Sequence, residues 1–128
     1  MPIYMKYPGI HGTGKGKFSG WIELENCQLG SLGGSGSTMR PEHLEIVITK
    51  GQDQTTPHLA RKYTNGDSQN VTIAFVKGDA APYLVFELEN TMIVSYRLLG
   101  GSGPTEKIES IGLNFTKITY GTQGTATP

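Results

Sequence analysis

A mainly β fold, a compact β-barrel of two packed antiparallel sheets with one short flanking α-helix and extended loops, is predicted by three observations. Eighteen glycines and six tyrosines in 128 residues, alongside abundant Thr and Ser, suit turns and pleated surfaces better than helices. Short runs alternate apolar and polar residues, as in Leu44 to Lys50, where Leu44, Ile46 and Ile48 share one face. The segment from Tyr83 to Tyr120 holds two long β-type runs that meet at Gly100-Gly101-Ser102-Gly103-Pro104 and read as one hairpin. Glycine supplies the positive φ of a wide turn there, and Pro104, with no amide donor, marks where pairing has yet to resume.

Each remaining element follows in order. Ile3 to Tyr7 is an opening strand stopped by Pro8-Gly9, and Gly9 to Gly16 is a loop. Trp21 to Leu29 is a second strand whose apolar phase changes between Ile22/Leu24 and Cys27/Leu29, which predicts a bulge or bend near Asn26. Gly30 to Arg40 is poor in anchors and reads as a projecting mobile loop ending at Pro41, before the strand Leu44 to Lys50. Thr55 to Gly66 is the one helix: Thr56 is the expected cap, Pro57 the first helical residue, and Asn65-Gly66 a left-handed stop. Its apolar stripe is Leu59 with Tyr63, enough to lie across a sheet. Asn70 to Lys77 turns Val71, Ile73 and Phe75 inward, and Gly78-Asp79 with Pro82 leads into the hairpin. The count is about seven strands in a single domain over 1–128, with 121–128 a frayed tail.

Composition excludes several functions. Eleven basic residues balance eleven acidic ones and charged residues make up 17%, so no field steers nucleic acid or anionic membrane. No run approaches a membrane span, and the first residues lack the pattern of a cleaved signal. The lone Cys27 forms no internal disulfide, which suits a reducing cytoplasm.

Candidate chemistries are weak. Gly9 to Lys15 spells most of a phosphate-binding loop, but Gly16 stands where Ser or Thr should hold magnesium, and the following residues read as strand instead of helix. His11, His43 and His58 lie in separate segments without ligand spacing, so neither metal nor cofactor is expected. Cys27, mid-strand and far from basic residues, reads as a small core residue. Glu23 with Glu25, and Glu87 with Glu89, read as wet strand faces unless the pairs converge in a cleft. The Asn-x-Thr triplets at Asn70 and Asn114 read as chance. No nucleophile, base and orienting group occur together, so the chain is not expected to be an enzyme.

The order of these segments resembles the Hcp family, the tube protein of bacterial type VI secretion systems. The resemblance is carried by Ile3 to Lys6 with Gly9-Ile10 and Gly12, the loop Gly30 to Gly36, Thr49-Lys50, Thr55 to Leu59, Gly66, Gly100 to Gly103, and Leu113-Asn114-Phe115 leading to Tyr120. It implies a six-membered ring, rings stacked into a hollow tube, and a contractile sheath that expels tube, spike and effector cargo. It further implies export through that apparatus from the bacterial cytoplasm, and a lumen contact for Gln28. The loop Ser31-Leu32-Gly33-Gly34-Ser35-Gly36-Ser37-Thr38-Met39 would order against the next ring, with a shorter contact from Gly100 to Pro104. A phage tail-tube protein of the same fold, or a small-ligand-binding barrel, are the alternatives.

Overall fold

The computed structural model describes residues 2–31, 44–77, 82–99 and 107–121. Most of the expected stacking loop (32–43), the hairpin tip Gly100 to Pro104 and the tail from 122 onwards lie outside the described residues. The strands are β1 (Ile3–Lys6), β2 (Ile22–Leu24), β3 (Asn26–Ser31), β4 (Leu44–Gly51), β5 (Gln69–Val76), β6 (Pro82–Leu99), β7 (Ile108–Asn114) and β8 (Lys117–Gly121), with the helix α1 at Thr56–Asn65. Eight strands stand where about seven were expected: of the six runs named from the sequence two are interrupted, Trp21 to Leu29 at Glu25 and the return arm of the hairpin at Phe115-Thr116.

All pairings are antiparallel, in the order β2-β1-β5-β6-β7-β4-β3, with β8 also on β6. The fold is mainly β with one helix, as expected, but its sheet is not closed. The two ends of the path, β2 and β3, are successive in the chain and are joined through Glu25, whose amide donates to Thr49 O at 2.7 Å. Curling therefore depends on β6, which is 18 residues long and belongs to two sheets. Its first half lies between β5 and β8, and its second half pairs with β7. The crossing falls at Asn90, a non-glycine residue at φ 52°, a conformation that Asn tolerates better than most residues. The Asn70 side chain accepts from the Asn90 amide at 3.2 Å, and Asn90 Nδ2 donates to Thr116 Oγ1 at 3.1 Å. The long hairpin is one continuous ladder, since Glu89↔Lys117 and Met92↔Asn114 share a register across the break. A bulge between Ile93 and Ser95 then shifts it by one residue.

The core fills the space between the sheets. Met5, Ile22, Val71, Ile73, Phe86 and Leu88 meet Ile46, Ile48, Ile93, Ile111 and Leu113, with Tyr7, Leu59 and Phe115 among them. Each fully buried aliphatic side chain contributes about 1.5–3 kcal/mol through area removed from water. Strand β5 departs from strict alternation: Ala74 and Val76 are buried as well as Val71 and Ile73, and Phe75 is partly buried against the core.

The helix starts one residue from the expected cap. Thr55 holds the N-cap position, so Pro57 is the second helical residue, and no side chain caps the first turn. Gly66 ends the helix at φ 71° and donates to Lys62 O, as predicted for a left-handed stop. Leu59 is fully buried, whereas Tyr63 is exposed and stacks on Tyr96 of β6 with ring centroids 6.1 Å apart.

Candidate functional site

Gln28 lies on a strand-built face that points away from the core. Register partners run in one row across four strands, Gln28 on β3, Val47 on β4, Gly112 on β7 and Ser95 on β6. On either side of that row sit Asn26, Thr49, Ser110 and Arg97, and Gly30, Glu45, Asn114 and Met92. The period of two makes this composition inevitable: Ile46, Ile48, Ile111 and Leu113 take the core face, so their polar neighbours take the other. The result is a mixed surface in which Asn26, Gln28, Thr49, Ser95, Ser110 and Asn114 are uncharged and polar, Glu45 and Arg97 are charged, and Val47 and Met92 are apolar. The predicted bend beside Asn26 is real, and it leaves Gln28 outward and exposed.

Two edges of this sheet have no strand partner among the described residues. One is β3, at the end of the strand order, and the other is the half of β6 from Met92 to Leu99 that faces away from β7. Val94 and Leu98 on that half of β6 are exposed apolar residues, and Met92 is borderline.

Behind the polar face is a buried ionic cluster. Lys50 and Glu109 are register partners on β4 and β7 and are both fully buried, with Lys50 Nζ 2.7 Å from Glu109 Oε2. Lys50 also donates to Asp53 Oδ1 at 3.0 Å and Gly51 O at 2.8 Å. Glu109 accepts from Thr56 Oγ1 at 2.6 Å and from the Tyr96 hydroxyl, while Thr55 Oγ1 donates to Asp53 Oδ1 at 2.6 Å. Burial opposes ionisation of Asp53, but hydrogen bonds from Thr55 and Lys50, with the charge of Lys50, outweigh it and hold its carboxyl below the usual range. The Tyr96 hydroxyl is raised, first by burial and then by its bond to Glu109. This cluster ties the start of α1 to β4, β6 and β7. Sequence reasoning missed it, although Lys50 falls in phase with Ile46 and Ile48, and Glu109 in phase with Ile111 and Leu113.

The weak chemical candidates remain apart. In the phosphate-loop look-alike, the amides of Gly12 and Gly14 donate to Gly20 O and Trp21 O at 2.8 Å each, so they are occupied by backbone. Cys27 is partly buried and its thiol is pushed up to about 12 by burial. Strands β1 and β5 separate Glu23 from Glu87, and Glu23 accepts from Thr13 Oγ1. His11 and His58 are exposed in separate segments, and His43 lies outside the described residues. Among the described residues no group of His, Cys, Asp and Glu is placed to hold a metal, and no helix is long and apolar enough to cross a membrane.

The class these features define is a two-sheet β fold with one helix, a partly polar strand face and, among the described residues, two sheet edges without a strand partner. The family profile described as "Type VI secretion system effector, Hcp" matches residues 4–121, and the chain belongs to the Hcp family. Solved structures agree in fold. The crystal structure of Hcp2 from Salmonella typhimurium is 19% identical with a TM-score of 0.77, covering 96% of this chain and 86% of that one. Hcp1 from the same organism is 17% identical with a TM-score of 0.78, covering 94% and 85%. Hcp3 from Pseudomonas aeruginosa is described as a secreted protein and is 18% identical, with a TM-score of 0.72 and coverage of 96% and 93%. No curated protein sequence matches the chain. Membership of this family gives the chain its general role, in the type VI secretion system.

Proposed function

We propose that the chain is a tube subunit that closes into a hexameric ring, with the polar face carrying Gln28 as the lumen wall. The observation that carries this reading is the four-strand row Gln28, Val47, Gly112 and Ser95, a wettable wall backed by a packed core. The two unpaired edges flank that wall. A head-to-tail contact between them repeats by rotation and covers edges that would otherwise invite aggregation. Rings stack through Ser31 to Met39 and through Gly100 to Pro104, the sheath drives the tube outward, and the spike and effector proteins travel with it. The mechanism is mechanical and breaks no bond.

The test is effector retention. Gln28→Arg places six cations in the lumen of a ring and should abolish co-purification of a cognate effector while leaving ring formation intact. Unchanged retention would sink the lumen assignment.

A further inference from the structure

On the reading of this face as the lumen wall, we propose that Glu45, with Ser95 on one side of it and Gln28 on the other, is a subsite for a lysine or arginine side chain of the transported polypeptide. Gly112 makes the subsite possible. A Cβ at that position would stand 2.3 Å from Ser95 Oγ and 2.8 Å from Glu45 Oε2, so a hydroxyl and a carboxylate lean together over bare backbone. Beside them lies a shallow concavity of about 470 Å³ lined by Gln28, Leu29, Gly30, Glu45 and Val47.

Glu45 makes no hydrogen bond or ion pair among the described residues. Arg97 lies two register rows from Glu45 and one from Ser95 and Gln28, and Lys50 is buried on the opposite side of its strand. An ammonium carries three donors and no acceptor, which suits the Glu45 carboxylate together with the Ser95 hydroxyl beside Gly112 or the Gln28 amide oxygen across Val47. Val47 offers apolar surface for the methylene stem of such a side chain. The concavity is far larger than a bare ion needs, and its apolar flank selects a side chain over an inorganic cation. An open ion pair gains roughly two- to fivefold in affinity, and linked contacts along one polypeptide multiply that gain.

The experiment uses the assembled protein and fluorescein-labelled Gly/Ser peptides carrying several spaced lysines, norleucines or glutamates, followed by fluorescence anisotropy. The lysine peptide should bind roughly tenfold or more tightly than the other two at low salt, and the preference should collapse at high salt and in Glu45→Gln. Equal affinity for lysine and norleucine peptides, or a preference that survives Glu45→Gln, would overturn the subsite. Labelling of Gln28→Cys by maleimides of graded size separates this outcome from failure of the lumen reading. Reaction with a polymer-linked maleimide too wide for a ring lumen removes the lumen wall, whereas protection of Gln28→Cys without a lysine preference removes the subsite alone.

Discussion

Removing the ammonium of Lys50 leaves the Glu109 carboxylate buried with two hydroxyl donors and no counter-charge. Lys50→Met should therefore lower unfolding free energy by about 3 kcal/mol or more, read from urea denaturation. Adding Glu109→Leu should recover part of that loss, because the pair is coupled. A double variant as unstable as the sum of the two single changes would contradict the coupling. Asp53 gives a pH signature with a definite sign. Its folded carboxyl titrates below its ordinary value of 3.8, so its stabilisation is present above that value and is lost as pH falls through the folded value. Asp53→Asn should be less stable than the parent at neutral pH, with the gap closing in acid; a gap constant with pH would contradict it. At this scale the sequence misleads in an instructive way. Lys50 and Glu109 fall at inward positions of their strands, but charged residues are so seldom buried that each alone reads as surface. Their pairing needs the β4–β7 register, which no local pattern supplies.

Helix α1 shows how much an element reveals before its fold is known. Its end at Gly66 was legible because few residues other than glycine accept φ 71°, and Gly66→Ala should cost about 1–2 kcal/mol in thermal or chemical unfolding. No measurable loss would mean that the terminus frays freely. Its start was read one residue late: Thr55 holds the N-cap position without a side-chain cap, and Thr56 Oγ1 accepts from the Asp53 amide while donating to Glu109. The β6 hairpin was legible as alternation and turn chemistry. Its passage between two sheets was not, since a period of two looks the same on both sides of Asn90 and the cue is a single backbone conformation. The bend near Asn26 was readable from the phase change alone, and it proves to be the interruption at Glu25 that carries the chain from β2 to β3.

For the whole molecule, the mainly β class and the family were both legible, the first from periodicity and the second from the order of glycine loops, Thr-Thr-Pro and the long hairpin. Gln28 was singled out only through the family resemblance, and Val47, Gly112 and Ser95 come into one row with it only through strand register. On the proposed reading, ring closure draws on the unpaired edges, and the half of β6 from Met92 to Leu99 adds the exposed apolar side chains Val94 and Leu98. The central claim is that these edges close a ring around the polar face. Native mass spectrometry of the purified protein, with negative-stain images of the same sample, tests it most directly. The account predicts a hexamer of the 13.8 kDa chain, imaged as a ring with a central hole. A protein that stays monomeric across micromolar concentrations would contradict it.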